Sequence, residues 1–194
     1  MATADHDDGF YLTLQEFEDL MQGAVVSILG WDAISPSKEN DVRISWPKQG
    51  APAMGIDDDI VFLRVNEQGG EYSRMRESFV IDSLPGLLET VSFTRIMEVF
   101  CIIYGPNSFD NAQTIRNGMF RQSIKESLAE EKVHLVPEII APRRVPELFA
   151  GQWWDRCDMR LVFNELIKHE YESEYIETAD INISDGSISV DVSI

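Results

Sequence analysis

The sequence predicts an α+β fold, a mostly antiparallel sheet with two main helices packed on one face and with long strands or hairpin extensions. Apolar residues recur at helical spacing from Phe17 to Leu29 and again from Ala112 to Leu128. Two-residue alternation dominates Leu88–Tyr104 and the stretch after Gln152. A sheet covered by helices on one side buries both helical stripes at once. The 194 residues fit one domain. It is assigned to 10–185, with 1–9 as a flexible N-terminus and 186–194 as a last strand or tail. A hydrophobic content of 44% is enough for a packed core.

The first helix begins at Thr13, whose spacing to Glu16 is that of a capping box. Its stripe is Phe17, Leu20, Met21, Ala24, Val25, Ile28 and Leu29. Gly30 stops it, and Trp31 covers its end. A loop-rich stretch with Pro36, Pro47 and Pro52 contains a short strand of Val42, Ile44 and Trp46. Ile60–Val65 is apolar on both faces and reads as a more buried strand. Residues 66–87 read as irregular, with turns at Gly69-Gly70 and Pro85-Gly86.

In the long strand Leu88–Tyr104, one face carries Val91, Phe93, Met97, Val99, Cys101 and Ile103. The other face turns apolar at Phe100 and Ile102, which predicts cover on both sides there. Asn107 or Ser108 caps the second helix, with Ala112, Ile115, Met119, Phe120, Ile124 and Leu128 inward and Arg116, Arg121 and Lys125 nearer the outside. Val133–Val136 is a short strand before a Pro-rich crossing from Pro137 to Pro146. From Gln152 the alternation predicts one long strand, with Trp153, Cys157, Met159, Leu161, Phe163, Ile167 and Tyr171 inward. Arg156, Asp158, Arg160, Asn164, Lys168 and Glu170 face water or a partner. A strand at 176–184 and a turn at Asp185-Gly186 close the pattern.

Charge excludes several classes of function. With 34 acidic and 16 basic residues the formal net charge is −18. Such a chain is repelled by nucleic-acid phosphates and anionic membrane surfaces. The N-terminus has neither the basic nor the apolar region of a signal peptide, and no stretch reaches the roughly 18 apolar residues of a membrane span. A soluble protein made in the cytoplasm is expected.

No pattern of residues points to catalysis. Asp57-Asp58-Asp59 is the densest carboxylate cluster, but three adjacent acids lack the alternation and Gly turn of a calcium loop. It reads as a solvated loop. His6, His134 and His169 form no metal-ligating pair, and Cys101 and Cys157 read as buried thiols. Phosphate loops, dinucleotide fingerprints and nucleophile elbows are all missing. No cofactor, metal site or enzymatic activity is expected.

Three segments carry a family resemblance: the N-terminal helix, the strand–turn–helix IIYGPNSFDNAQTIRNGM, and the C-terminal stretch QWWDRCDMRLVFNELIKHEYESEYIETADINI. In their order and texture the chain resembles the neck and tail-terminator proteins of contractile-tailed bacteriophages over roughly residues 12–185. The resemblance implies a virion structural protein whose copies close into a hexameric ring. Such a ring caps the tail tube, anchors the last sheath ring and joins the head–tail connector, while DNA passes through its lumen without specific binding. A head-completion or baseplate component is the alternative role.

A ring subunit needs two different self-interfaces. The strand around Arg156–Glu170, with Arg160 and Lys168, and the Pro-rich crossing with Arg143 and Arg144 are assigned to neighbours. Phe149, Trp153 and Trp154 are interface aromatics, with one Trp expected in the core. Asp57, Asp58 and Asp59 are assigned to an acidic lumen that DNA does not adhere to.

Overall fold

Backbone pairing and side-chain packing come from a computed structural model that describes residues 10–34, 38, 40–45, 54–71, 74–83, 86–173, 178–182 and 189–193. The predicted N-terminal segment, the loop prolines at 36, 47 and 52, Trp46, Pro85 and the Asp185-Gly186 turn lie outside these residues. In chain order the described elements are α1 (Leu14–Leu29), α2 (Trp31–Ile34), β1 (Val42–Ile44), β2 (Ile60–Gln68), β3 (Glu77–Ser83) and β4 (Gly86–Tyr104). There follow α3 (Ser108–Gly118), α4 (Gln122–Glu130), β5 (Val133–Leu135), β6 (Arg143–Arg144), β7 (Glu147–Phe149), β8 (Gln152–Trp154), β9 (Arg156–Ser173), β10 (Thr178–Asn182) and β11 (Ser189–Ser193). Helices with a large, mostly antiparallel sheet make the fold α+β. The chain gathers into two compact units, one of residues 11–75 and 93–167, the other of 1–10, 76–92 and 168–194.

The larger unit begins with the capping box. Thr13 Oγ1 accepts from the Glu16 amide at 3.3 Å, and the Glu16 carboxylate accepts from the Thr13 amide at 2.8 Å. Bonds from the Thr13 amide, and second from its hydroxyl at 2.7 Å, hold the Glu16 carboxyl below its ordinary range. The helix buries Phe17, Met21, Val25 and Ile28 and ends at Gly30, with Trp31 buried just beyond. Lys38 sets its ammonium 4.7 Å from the Trp31 ring centroid.

The strand order is β1-β2-β4-β9-β5, with β6 also on β9. β1 runs parallel to its neighbour β2, pairing Val42 with Val61. β2 and β4 are antiparallel from Ile60 opposite Tyr104 to Gln68 opposite Ile96. Alternate residues then share the inner face: Val61, Leu63 and Val65 on β2, Met97, Val99, Cys101 and Ile103 on β4, and Cys157, Met159, Leu161 and Phe163 on β9, all buried. Phe17 meets Phe163 edge-on at 6.2 Å, joining helix to sheet. Each large side chain buried in this way contributes about 1.5–3 kcal/mol. The inner face is that of the sequence pattern, including the turn to partial burial at Phe100 and Ile102 on the outer side.

The second helix departs from the sequence pattern. It is divided at residues 119–121, where Arg121 is extended (φ −62°, ψ 140°). Phe120 therefore leaves the buried stripe and is exposed, with the Lys125 ammonium 5.6 Å from its ring centroid. A Cβ at Gly118 would overlap the Ile28 side chain, so a glycine is needed where α3 crosses α1. Arg116 and Arg121 also turn back to the fold, donating to the carbonyls of Ile139 at 3.1 Å and Ile28 at 3.4 Å.

Glu165 is the largest departure from an apolar core. It lies on the inner face of β9 with no solvent access. Its Oε2 accepts from Arg95 Nε at 2.9 Å and Nη2 at 2.6 Å, and its Oε1 accepts from the Leu12 amide at 3.0 Å. Arg95 Nη2 also donates to the Leu12 carbonyl at 2.7 Å. One ion pair thus fastens β4, β9 and the lead-in to α1.

In the smaller unit, β3 pairs antiparallel with the first residues of β4, from Glu77 opposite Ser92 to Ser83 opposite Gly86. This hairpin corrects the irregular reading of 66–87. Phe79, Val80 and Ile81 are all exposed, so no one-sided alternation marked the strand. Phe10 bridges Lys168, Lys168 is ion-paired with Glu170, and His169 stacks on Tyr171 at 6.1 Å. Tyr171 is exposed rather than inward. β10 and β11 form an antiparallel pair, so residues 189–193 of the predicted tail are a strand.

Removing one partner of the buried ion pair leaves the other charge stranded. Arg95→Met or Glu165→Leu alone is expected to lower unfolding stability by about 3–5 kcal/mol. The double variant should lose less than the sum of the single losses. Urea titration of the three variants measures this, and additive losses would show that the two side chains act independently.

Candidate functional site

The segment Glu147–Trp154, ELFAGQWW, is uncharged after its first residue and apolar except at Gln152. It folds into the β7–β8 hairpin, pairing Glu147 with Trp154, Leu148 with Trp153 and Phe149 with Gln152. Its two-residue loop has positive φ at both positions, Ala150 at 50° and Gly151 at 80°, the arrangement that follows the natural strand twist. Leu148 and Trp153 lie opposite each other, 58% and 66% exposed. Phe149 is 62% exposed and rests edge-on against Trp154 at 6.1 Å.

A network on the outer side of the sheet supports the hairpin. Trp154 meets Tyr104 edge-on at 6.3 Å, and Tyr104 meets Phe62 at 6.0 Å. Tyr104 donates its hydroxyl to Glu147 Oε2 at 2.7 Å, and Arg156 Nη1 donates to the same oxygen at 3.0 Å. Arg156 also grips Asp158 with two bonds, 2.7 and 2.8 Å, while its guanidinium lies 5.7 Å from the Tyr104 ring centroid. Burial, with the Glu147 hydrogen bond second, pushes the Tyr104 phenol up to about 12. The Tyr104 bond, then Arg156, lowers the Glu147 carboxyl. Hydrogen bonding to Asp158 raises Arg156 further above its ordinary range. At neutral pH the three groups are a neutral donor, an anion and a cation. They can position a hairpin, and they leave no proton poised for transfer near pH 7.

Arg143 and Arg144 are exposed on β6, opposite Asp158 and Cys157. Arg144 reaches Asp155 at 3.3 Å, and Arg160 is paired with Glu98 at 2.7 Å. Arg143, Arg144, Phe149, Trp153, Trp154, Arg156 and Arg160 thus all fall on β6–β9 of the larger unit, whereas Lys168 belongs to the smaller one. Trp153 is a correction: the predicted single strand is interrupted at Asp155, because β8 pairs with β7 outside the main sheet. Trp153 faces solvent instead of the core, and Trp154 is the half-buried member of the pair. Tyr104 and Glu147 were not singled out from sequence. The run ELFAGQWW, with Ala-Gly between two apolar pairs, was the available signal.

The three aspartates do not act alike. Asp57 and Asp58 are exposed, and Asp58 Oδ2 accepts from the Gly55 amide at 2.6 Å. Asp59 is half-buried and holds the turn after β4, accepting from Asn107 N at 3.0 Å and Asn107 Nδ2 at 2.7 Å. Gly105 there has φ +109°, and a Cβ would sit 2.5 Å from Asp59 Oδ1. His134 is exposed on β5 opposite Asn164, about 23 Å along β9 from the buried Cys157, so the two form no Cys–His pair. Among the described residues no cluster of three or more His, Cys, Asp or Glu could hold a metal, and no helix is long and apolar enough to cross a membrane.

A family model described as "Phage neck terminator protein" matches residues 15–188. No curated protein matches the chain.

The support network is testable through pH. Glu147 has a depressed folded pKa, so its contribution is complete above the ordinary carboxylate value, about 4.3, and is lost as pH falls through the folded value. Wild type is expected to exceed Glu147→Gln in melting temperature at pH 7 and to converge with it in acid. A Tyr104→Phe/Glu147→Gln cycle should give a coupling of about 0.5–1 kcal/mol, the lower part of the hydrogen-bond range because Glu147 is partly solvated. A pH-independent difference between the two melts would refute the assignment.

Proposed function

The chain belongs to the phage neck terminator protein family, a family of virion structural proteins, and from that membership we propose that it is the ring subunit that closes the tail. Six copies form a ring on the finished tail tube, stop its growth, hold the last sheath ring and meet the head–tail connector. The observation that carries this reading is the match over residues 15–188, nearly the whole chain.

Two features support it. The β7–β8 hairpin displays Leu148, Phe149 and Trp153 to solvent on a fixed ionic support, and large exposed apolar side chains held in place are typical of protein contact sites. Arg143, Arg144, Trp154, Arg156 and Arg160 flank that hairpin and belong to the same proposed contact region, with Lys168 of the smaller unit as a separate contact. Net charge supplies the second feature. Asp57 and Asp58 present exposed carboxylates that suit a channel wall, because a surface without cations gains nothing from displacing DNA counterions. Asp59 has its carboxylate committed to Asn107 and contributes less there.

Sedimentation velocity and negative-stain microscopy of the purified protein, free and mixed with tail tubes, are expected to show six-membered rings, free or seated on tube ends. Phage lacking the protein should make overlong or unattached tails. Finished tails beside leaking heads would instead identify a head-completion role. Asp57→Lys/Asp58→Lys particles should have normal tail length but impaired DNA ejection, and normal ejection would remove these residues from the channel wall.

A further inference from the structure

We propose that the β7–β8 hairpin of one subunit docks in the groove between α4 and β5 of a second copy of this chain. The proposal rests on the ring reading above and names the two surfaces that would build the ring.

The groove is open, about 400 Å³, and its lining combines apolar side chains such as Phe120, Leu135 and Pro137 with Lys125, Glu126 and His134. It exists because the second helix breaks at residues 119–121, turning Phe120 outward, and because β5 ends the strand order, its far edge unpaired among the described residues. Its volume is in the range that receives a few large side chains. The hairpin offers Leu148 and Trp153 side by side on one face, with Phe149 at the tip.

Charge selects the occupant. Two copies of a −18 chain can meet closely only where carboxylates do not face one another. Residues 148–154 contain no charged side chain and are bounded by Glu147 and Asp155. On the groove side, Glu126 accepts from Gln122 at 2.8 Å, while the Lys125 ammonium already lies over the Phe120 ring. A docked Trp153 would give that cation a second aromatic face, while the acids that bound the hairpin stay paired within their own subunit, Glu147 with Arg156 and Asp155 with Arg144. The two surfaces cannot satisfy each other within one subunit. β5 pairs with Phe163–Glu165, seven or more residues along β9 from Arg156 at the hairpin base, about 23 Å or more. A contact between two separate patches is heterologous, and it builds a ring when the rotation between successive copies closes.

Cysteine pairing tests the proposal in the full chain. Cys101 and Cys157 are buried, and burial raises both thiols, Cys101 to about 12, so the native thiols stay silent under mild oxidation. Gln152→Cys and Glu126→Cys chains, each alone, are expected to stay uncrosslinked. Their mixture should give disulfide dimers, and the double variant a ladder that ends at a closed oligomer. Trp153→Asp, at an exposed position, should keep the wild-type melting temperature while weakening assembly roughly thirty-fold or more, the scale of a hot-spot aromatic. Rings that form without mixed crosslinks, or that tolerate Trp153→Asp, overturn the docking proposal and leave the ring reading intact. Cross-linking of Gln152→Cys to a tube or connector protein in assembled particles overturns the choice of a second copy. A chain that never self-associates, free or on tails, overturns both.

Discussion

The carboxylate of Glu165 has no access to water, and a buried charge persists only when it is paired and fully hydrogen-bonded. Arg95 supplies two donors from β4, and the Leu12 amide supplies a third from the lead-in to α1. A one-residue slip of β9 would bring Leu166 to the inner face and turn Glu165 outward, stranding Arg95 and inverting Leu161 and Phe163. Replacing such a pair with apolar side chains can be nearly neutral for stability. Its distinctive consequence is therefore register: among the apolar positions of this strand it is the one that accepts a single alignment.

Register matters because the outer network uses the same two strands. Tyr104 lies nine residues beyond Arg95 on β4, and Arg156 lies nine residues before Glu165 on the antiparallel neighbour β9. An odd separation places the two sites on opposite faces, about 30 Å apart along the strands. The inner ion pair and the outer Tyr104–Glu147–Arg156 cluster are thus two ends of one alignment. If the inner pair sets the register, the outer residues meet the hairpin correctly. Hairpin position then depends on a group that never touches it.

Most of the inner face was legible in the sequence, for a simple reason. Period-two and helical stripes report which side of an element is buried, and Phe17–Ile28, Met97–Ile103 and Cys157–Phe163 carry strong stripes. The capping box at Thr13 and the stop at Gly30 were legible because caps are local chemistry. What failed was whatever depended on partners. Trp153 continues the parity of Cys157 and Met159, yet β8 leaves the main sheet, and parity does not say which strand a segment joins. Phe79, Val80 and Ile81 form a strand whose described side chains are all exposed, so nothing alternates. Phe120 kept the helical spacing, but the break at Arg121 turned it outward. Glu165 sat in plain view at an inward position, and one charged residue in a clean apolar series is a sign of a buried pair. At the candidate site, the aromatics and arginines were visible as residue types. Their joining through Tyr104 and Glu147 was not, because those two come from segments more than forty residues apart.

The departures from pattern and the excess of acid bear on one another. In a chain of net charge −18, long-range repulsion between copies is the default, and salt screens it only beyond about a Debye length. Specific association then favours surfaces that are locally neutral and apolar, where desolvation costs little and no carboxylates are forced together. Phe120, Leu148, Phe149 and Trp153 are exposed apolar side chains of the larger unit that fit this description, and Phe120 and Trp153 are positions where a hydrophobic residue was expected inside. Three of the arginines in their surroundings are ion-paired: Arg156 with Asp158 and Glu147, Arg160 with Glu98, Arg144 with Asp155. Pairing of that kind keeps the basic side chains from attracting polyanions while leaving the apolar ones free to make contacts. In the proposed ring, acidity therefore restricts where copies meet, and the hydrophobic residues that escape the core are the surfaces it leaves for that contact.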